Sequence, residues 1–550
     1  MGKKSNPFAY ARPLGVAQVT LVFVLLACEL GARLAFPAPR YVHSLPYDPG
    51  LGFRAPANVH LGNSDPGGGF PYDLNNQGFR GPELPTDSKL AGTERLLFCG
   101  DTFLMGWQVR KEALVPFSTE SALRESGRHV ESYSIACDGY GTAQQWILLR
   151  KYAGPLDPDY VVLCFSTGND VADNARDLVG RTLVSSGGYL RPFLLRDDSG
   201  DLRTTWLQPA RAALRASSRV FQLVEHRLLR MEWIDSQARR EGALLSRKDR
   251  LAAGRLPLPY LDMFTTQEDE HWEAGWDATA VALEAIRDEV RRLGARLIVA
   301  ILPHKFQVQR DASSIGMDGT LLRSKSPPLN DRLDWNLPER RLVALLRGLE
   351  IETVSLLDPL RRETAEERVS MYRQDGHWNG RGHALAGREI ARAIQAFDKG
   401  ETRAPGGTNG QPVDLPTLVF EKQSEIDLQV EIRPELMGFG WHGWRSDWWG
   451  ETYGWVMREK GEILVPNRTG ELVLKCWLPS FAELPAVVRL NGEEHVIERT
   501  GEFLLRQGIE KSGEEQYRFV RIETTRSFTF MRGKRAGLVL QGFEVRAPGG

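Results

Sequence analysis

Between residues 95 and 397, short apolar runs alternate with helical stretches, and this alternation limits the fold more than any other feature of the chain. The pattern predicts strands over residues 96–99, 129–136, 160–165, 296–302 and 352–357, and helices over residues 115–126, 144–152, 272–293, 342–349 and 383–397. Strands that alternate with helices form a parallel sheet with helices on both faces, which is an α/β fold. Ligands bind such sheets outside the carboxyl ends of the strands, so a functional site is expected there.

The sequence changes character after residue 400. Residues 401–416 are rich in glycine, proline and polar residues, which predicts a linker. Beyond it apolar residues recur with a period of two, and Asn491-Gly492 between two such runs is a hairpin turn signal. Several short strands joined by turns predict a jelly-roll-like β-sandwich over residues 417–550.

Five tryptophans lie close together at the start of this predicted sandwich: Trp441, Trp444, Trp448, Trp449 and Trp455. Tryptophan rings stack on sugar faces, so the first four are candidate carbohydrate contacts. The alternative is that several of these rings pack the core and rim of a small sandwich.

The N-terminus contains one segment that is long enough to cross a membrane. Lys3, Lys4 and Arg12 precede or border the apolar stretch over residues 14–36. Positive charge before the span predicts that residues 1–13 stay in the cytoplasm and that the body is extracytoplasmic, in the periplasm. A cleaved signal peptide and a lipoprotein lipidated at Cys28 are alternatives, and both also export the body.

Residues 176–265 do not fit the alternation and are predicted to be an insertion. Within residues 203–255 there are 12 Arg and Lys against 5 Asp and Glu, a net charge of +7. Val220, Val224, Leu228 and Met231 lie at helical spacing, which predicts a cap helix with a solvated basic face. The alternative is contact of this basic surface with anionic lipid head groups or with an acidic polysaccharide.

The composition excludes several classes of protein. Hydrophobic residues make up 42% of the 550 residues and charged residues 26%, a balance that is ordinary for globular domains. The net charge of −1 leaves no whole-chain argument for binding nucleic acid. Five cysteines cannot form a disulfide framework, and His304 has no partners at metal-ligand spacing, so neither a metal nor another cofactor is expected.

Polar residues that suit acyl transfer follow the predicted strands. They form four segments: Gly-Asp-Thr-Phe at 100–103, Cys-Asp-Gly-Tyr-Gly at 137–141, Thr-Gly-Asn-Asp at 167–170 and Asp-Gly-His-Trp-Asn at 375–379. The hydroxyl of Thr102 needs a base, which His377 can supply while Asp375 fixes the imidazole tautomer. The backbone N–H groups of Thr102 and Gly139 and the side chain of Asn169 are candidate donors to a tetrahedral oxyanion.

In this order, the four segments resemble the blocks of the SGNH (GDSL-type) hydrolase superfamily, which run Gly-Asp-Ser, Gly, Gly-x-Asn-Asp and Asp-x-x-His. The resemblance covers residues 45–400 of a domain placed at 38–400, and includes the runs at 75–83 and 139–145. It implies a flavodoxin-like sheet and the hydrolysis or transfer of small acyl groups from esters. By motif position it implies Thr102 as the nucleophile, Gly139 and Asn169 as oxyanion donors, and Asp375 and His377 as the final pair.

Two positions depart from this pattern. Thr102 stands where the superfamily has serine, and its extra methyl group stiffens χ1 and crowds a tight strand-to-helix turn. Asp375 and His377 are two residues apart, where the usual spacing is three. The sequence Asp-x-His-Trp is similar to the final block of the alginate O-acetyltransferase branch, which also joins this domain to a carbohydrate-binding sandwich. The spacing therefore favours acetyl chemistry on a polysaccharide.

Two hypotheses follow from the sequence. The first is a membrane-anchored, extracytoplasmic acyl esterase or O-acyltransferase whose partners are an acylated carbohydrate or other ester and, through residues 14–36, the membrane. The second is a catalytically silent relative that binds glycan or scaffolds an envelope assembly, because Thr102 replaces the expected serine.

Overall fold

The computed structural model describes residues 11–37, 40–42, 45–61, 72–107, 109–178, 190–206, 208–230, 259–265, 270–315, 331, 333–373, 375–401, 410–429, 433–439, 441–448, 452–524, 528–530 and 534–547.

A five-stranded parallel sheet forms the centre of the N-terminal domain. Its strands are β1 (Glu94–Gly100), β2 (Val130–Ala136), β3 (Tyr160–Ser166), β4 (Arg296–Leu302) and β5 (Glu352–Ser355). Their spatial order is β2-β1-β3-β4-β5, which is the flavodoxin-like order with its switch point between β1 and β3. Every residue of β3 is buried, because helices cover both faces of the sheet. The predicted α/β fold and its five strands are confirmed.

The chain forms helices between the strands of this sheet, and also before and after them. They are α1 (Ala11–Ala35), α2 (Thr102–Met105), α3 (Val115–Glu125), α4 (Thr142–Leu156), α5 (Asp170–Asn174), α6 (Pro209–Ser217), α7 (Arg219–Arg230), α8 (Glu270–Arg292), α9 (Lys305–Val308), α10 (Leu337–Gly348), α11 (Leu357–Glu367), α12 (Gly380–Asp398) and α13 (Leu415–Lys422). α3 packs on α12, and α4 packs on α8. From β1 to β2 the chain moves towards one edge of the sheet, and from β3 to β4 it moves towards the other edge. Because both crossovers are right-handed, α3 and α8 lie on opposite faces of the sheet.

Short strands outside the central sheet make small pairings. They are Arg40–Val42, Leu45–Asp48 and Gly52–Phe53 in one sheet, Val59–Leu61 with Tyr72–Leu74, Pro192–Arg196 with Leu202–Trp206, Gln309–Arg310 with Val413–Asp414, and Phe528–Phe530 with Lys534–Ala536. Short 3₁₀ helices occur at Lys111–Ala113, Arg176–Leu178, Pro259–Phe264 and Pro434–Leu436.

Two antiparallel sheets form the C-terminal domain. Their strands are β6 (Glu425–Asp427), β7 (Trp441–Trp448), β8 (Thr452–Met457), β9 (Lys460–Pro466), β10 (Gly470–Leu478), β11 (Ala486–Leu490), β12 (Glu493–Ile497), β13 (Gly501–Ile509), β14 (Tyr517–Thr524) and β15 (Val539–Arg546). One sheet has the order β7-β8-β15-β10-β13, with β6 also paired to β15, and the other has the order β9-β14-β11-β12. Apolar residues from both sheets share one core, as the predicted β-sandwich requires.

The segment between the two domains differs from the predicted linker. Val413–Asp414 pairs in parallel with Gln309–Arg310 of the N-terminal domain, and α13 begins at Leu415. Composition predicts a linker over residues 401–416, and the last residues of this segment have backbone partners on the first domain. Asp414 caps α13 by accepting a hydrogen bond from the N–H of Thr417.

The N-terminal helix α1 begins at Ala11, slightly before the predicted span. Within it, Gln18–Ala35 is long and apolar enough to cross a membrane, a test that a signal sequence also passes. In the described part of the insertion, α7 contains the predicted helical positions Val220, Val224 and Leu228. The fourth predicted position, Met231, lies outside the described residues.

Candidate functional site

Thr102 begins α2, at the turn that follows β1. Asp101 caps this helix, because its Oδ1 accepts a hydrogen bond from the N–H of Phe103 at 3.0 Å. The helix ends after one turn at Gly106, which has a left-handed φ of 47°. A side chain there would displace the buried Leu114, since a Cβ would lie 2.2 Å from its Cδ2. The local sequence therefore holds Thr102 on a very short helix at the carboxyl end of the sheet.

Arg80 binds the far end of α2. Its buried guanidinium donates hydrogen bonds to the carbonyls of Met105 at 2.9 Å, of Val109 at 2.7 Å and of Gly106. A helix end leaves such carbonyls without partners inside the helix, and a charged donor satisfies them well. Arg80 lies in the run at 75–83 that carries part of the superfamily resemblance. The sequence does not predict its role, because its partners are backbone atoms distant along the chain.

The structure brings Gly139 and Thr102 together. The N–H of Gly139 donates a hydrogen bond to Oγ1 of Thr102 at 3.2 Å. Gly139 has a left-handed φ of 72°, and its carbonyl accepts a hydrogen bond from Arg191 at 2.8 Å. Arg191 is buried and also pairs with Asp173 at 2.8 Å. An N–H held beside a hydroxyl is the arrangement that an oxyanion donor needs.

Asn169 directly precedes α5, and its side-chain amide is already engaged. Nδ2 donates to Oδ2 of Asp101 at 3.2 Å, to Oδ1 of Asp170 at 3.1 Å and to Oδ2 of Asp173 at 3.1 Å. An amide nitrogen carries two hydrogens, so these three carboxyl groups occupy its donor capacity. Asn169 must release a carboxyl group before it can donate to a tetrahedral oxyanion.

Buried carboxyl groups surround the Thr102 turn. Burial raises the pKa of Asp101, and burial together with the charges of Asp101 and Asp173 raises that of Asp170. Burial also raises the pKa of Asp138 to about 6, against the opposing charge of His377. The site therefore contains carboxyl groups that keep their protons to higher pH than a free carboxyl group does.

His377 and Asp375 lie in the loop between α11 and α12. The imidazole Nδ1 is 3.5 Å from Oδ1 of Asp375, which is long for a hydrogen bond, and the same Oδ1 accepts the backbone N–H of His377 at 3.1 Å. Burial opposes protonation of the imidazole. The contact with Asp375, its charge and the charges of Asp101 and Asp138 outweigh burial, so the pKa of His377 is raised above its usual value.

His377 lies beside Thr102 in the structure without a direct bond to it. The His377 ring packs on Phe103, the residue after Thr102, with ring centroids 5.3 Å apart. Within the part of the chain that the structure describes, no hydrogen bond joins His377 to Thr102. Catalytic hydrogen bonds are often long before substrate binds, so this geometry leaves the predicted dyad open.

Two further histidines line this region. His304 caps α9 through a hydrogen bond to its Nδ1 from the N–H of Phe306 at 3.2 Å, and its ring lies against Gly168. Burial lowers the pKa of His304 to about 3 and, with the charges of Arg80 and His377, lowers that of His383 to about 3 as well. Among the described residues, no group of three or more His, Cys, Asp and Glu is placed to hold a metal ion.

The prediction that Trp441 contacts carbohydrate is wrong. Its side chain is 5% exposed, its indole N–H donates to the carbonyl of Glu462 at 2.8 Å, and its ring packs edge-on against the buried Trp455. Core packing explains both rings. The side chains of Trp444 and Trp448, and Trp449 as a whole, lie outside the described residues.

Comparison with protein families matches the final part of the first domain. Residues 262–417 match the family model described as an SGNH hydrolase-like domain, acetyltransferase AlgX. The matched range contains Asp375 and His377 but not Thr102, Gly139 or Asn169. No sequence of a curated protein matches the chain.

Comparison with solved structures gives remote likenesses. They are a two-domain esterase active on acetylated mannans (12% identity, 84% of this chain and 93% of that chain, TM-score 0.27), an acetyl xylan esterase (11%, 55% and 98%, TM-score 0.27) and the lipase/acylhydrolase from Enterococcus faecalis (13%, 55% and 96%, TM-score 0.27). The family match over residues 262–417 and the order of the parallel sheet show that the first domain is SGNH hydrolase-like and similar to that of the acetyltransferase AlgX, which places it in the esterase and acetyltransferase class.

Proposed function

We propose that this protein is a membrane-anchored, extracytoplasmic enzyme that hydrolyses or transfers acyl groups, with acetyl esters of a cell-envelope polysaccharide as its substrate. The observation that carries the proposal is the Gly139 N–H held 3.2 Å from the Thr102 hydroxyl at the carboxyl end of the sheet. The description of the matched family as an acetyltransferase and the attached β-sandwich support a polysaccharide substrate.

The proposed reaction begins at the Thr102 hydroxyl. Its Oγ1 attacks the ester carbonyl while His377 accepts the hydroxyl proton, and the charge of Asp375 stabilises the resulting imidazolium. The Gly139 N–H, which binds Oγ1 at rest, then donates to the oxyanion as Oγ1 forms its new bond. The imidazolium returns the proton to the leaving alcohol, and water or a sugar hydroxyl then takes the acyl group from Thr102.

Membrane anchoring is the second part of the proposal. The described apolar side chains of α1 are largely exposed, Val19, Phe23 and Leu26 among them at 57%, 67% and 60%. A row of exposed apolar residues on one long helix needs a lipid environment or a partner to cover it.

A catalytically silent protein that binds glycan or acts as a scaffold is the second candidate. Three observations favour it: the 3.5 Å separation of His377 from Asp375, the engagement of the Asn169 amide by carboxyl groups, and the methyl group of Thr102. Each of these must change or be tolerated during turnover.

Hydrolysis of p-nitrophenyl acetate by the full-length protein in detergent separates the two candidates. We expect His377→Ala to lower kcat by about 10³-fold or more, because general-base and nucleophilic catalysis are lost together. His60→Ala, at a histidine whose side chain is 82% exposed, is the control and leaves kcat unchanged. An inactive wild type favours the silent protein, and an active His377→Ala variant excludes His377 as the base.

A further inference from the structure

The last turns of α1 are bound to the junction between α6 and α7. The carboxylate of Glu29 accepts hydrogen bonds from the N–H of Arg219 at 2.6 Å, from the N–H of Val220 at 3.1 Å and from the hydroxyl of Ser218 at 2.8 Å. The first N–H groups of a helix have no partner inside it, so Glu29 caps α7 from a different helix.

A second charged residue strengthens this junction. Arg33 donates to the carbonyl of Ser217 at 2.6 Å and pairs with Glu29 at 2.7 Å, while Ala32 between them is 7% exposed. The end of α1 is therefore built into the folded body, and the position of α6 and α7 relative to α1 is fixed.

The helix faces beside this junction expose apolar side chains. Leu214, one turn before Ser217, is 48% exposed, and Val224, one turn after Val220, is 54% exposed. Arg227 follows Val224 by one further turn and is also exposed. Apolar side chains and a cation are thus exposed within about two turns of the junction with α1.

The helix pair also carries excess positive charge. α6 and α7 together contain five arginines and one glutamate. The glutamate, Glu225, is buried and pairs with Arg211 and Arg215, which joins the two helices to each other. The remaining arginines give the pair a net attraction to anions.

The charged residues of α1 indicate the depth of α6 and α7 relative to the membrane. Glu29 and Arg33 stand at the end of the apolar stretch, and charged residues of a membrane-spanning helix lie at the lipid–water interface. Groups that hydrogen-bond to them lie at the same depth, so α6 and α7 stand beside the head groups.

We propose that α6 and α7 lie on the outer surface of the membrane that α1 crosses, with Leu214 and Val224 inserted at the acyl-chain boundary and Arg227 among anionic head groups. An amphipathic basic helix binds a membrane surface by burying its apolar side chains among the lipids and by the attraction of its cations to anionic head groups. The inference rests on the membrane anchor of the proposed function. It holds the catalytic domain at a fixed orientation over the bilayer.

The test is depth-dependent quenching of a fluorophore by doxyl-labelled lipids. Full-length protein with Cys28→Ser is labelled at Val224→Cys and reconstituted into phosphatidylcholine vesicles with or without phosphatidylglycerol; the other four cysteines are buried. Leu26→Cys, one turn inside Glu29 on the anchor, and Leu504→Cys on the sandwich are the reference sites, with side chains 60% and 53% exposed.

We expect the label at position 224 to be quenched several-fold more than at 504 and to approach the quenching at 26, most strongly with phosphatidylglycerol. Glu29→Gln should weaken quenching at 224 and leave it unchanged at 26, because only the junction is loosened.

Each contrary result has a separate meaning. Quenching at 224 equal to that at 504, with 26 quenched, overturns the inference and leaves the anchor intact. An unquenched label at 26 defeats the anchor itself. Equal quenching with and without phosphatidylglycerol refutes the anionic head-group contact. An unquenched label at 224 whose emission shifts when a polyuronate is added would assign this surface to an acidic polysaccharide and overturn the lipid assignment.

Discussion

The hydroxyl of Thr102 accepts a hydrogen bond from the N–H of Gly139, so the candidate nucleophile and a candidate oxyanion donor are in direct contact. Threonine differs from serine by a methyl group that restricts χ1, and here χ1 already aims Oγ1 at Gly139. Whether the methyl obstructs the approach of an ester therefore decides between an enzyme and a silent protein.

Substitution of Thr102 measures this effect. We expect Thr102→Ser to keep or raise kcat for p-nitrophenyl acetate, because serine retains the nucleophile and removes the crowding methyl group. Thr102→Ala should remove the pre-steady-state burst and nearly all turnover, since the oxyanion donors alone leave little activity. Thr353→Ser, in β5, is the matched control. Equal rates for Thr102→Ala and an active wild type would show that the hydroxyl takes no part.

The raised pKa of His377 predicts the pH dependence of the reaction. Only the neutral imidazole can accept the hydroxyl proton, so kcat/KM should rise with pH through a value above the usual histidine pKa of about 6.5. Asp375→Asn removes the nearest negative charge, which should move this rise to lower pH and also lower the plateau. Asp138→Asn should move it in the same direction by less, and the exposed Glu514→Gln should not move it. A rise that stays in place in Asp375→Asn would contradict the assignment of this pair.

The sequence predicts that Thr102, Gly139 and Asn169 follow strands and that Asp375 and His377 lie in the closing loop. The catalytic roles of all five stay predictions. The sequence does not predict roles for Arg80, Asp138 and Arg191, although Arg80 and Asp138 lie in the runs at 75–83 and 137–141. These side chains act on backbone atoms or through burial, and such contacts join distant parts of the chain.

At the scale of secondary-structure elements, the sequence predicts an element better when its apolar run is longer. β3 and β4 are continuous apolar strands and could be predicted from that alone. α2 has only four residues and depends on its Asp101 cap and on Arg80, which lies about twenty residues earlier, so no local pattern predicts it.

The Arg80 contacts predict that α2 is sensitive to the shape of this side chain. A lysine keeps the charge but cannot bind carbonyls in several directions, so Arg80→Lys should lower the free energy of unfolding by about 1–3 kcal/mol and reduce kcat more than it changes KM. Urea denaturation and steady-state kinetics measure both effects. Arg499→Lys, at an exposed position in the sandwich, is the control. An Arg80→Lys enzyme with unchanged kcat would show that the end of α2 does not position the nucleophile.

At the scale of the whole molecule, the two domains contact each other through backbone pairing and side-chain packing, in addition to the chain segment that joins them. Val413–Asp414 extends from the segment before the sandwich to pair with Gln309–Arg310, and Leu464 and Tyr517 of the sandwich pack on Ala312 of the first domain. The sequence predicts two domains because the apolar period changes, but a change of period says nothing of how the domains contact each other. Docking depends on side chains that lie far apart in sequence.

A buried ion pair at this contact gives the last prediction. Arg433 in the sandwich donates to the carbonyl of Arg368 in the first domain at 2.9 Å and pairs with the buried Glu435 at 3.3 Å. Burial raises the pKa of Glu435 to about 7 even though the charge of Arg433 lowers it. Removal of the arginine raises this pKa further, so the folded variant must either bury an unpaired carboxylate or take up a proton.

We therefore expect Arg433→Met to lower the free energy of unfolding by about 3–5 kcal/mol at pH 8, the usual cost of leaving one member of a buried pair. At pH 5 the loss should be smaller, because folded Glu435 is then already protonated in both proteins and no charge is left unpaired. Arg489→Met breaks the exposed pair with Glu494 and should change stability by less than about 1 kcal/mol at both pH values. Urea denaturation at pH 5 and pH 8 makes the measurement. A loss for Arg433→Met that is the same at both values would show that Glu435 does not titrate at the domain contact.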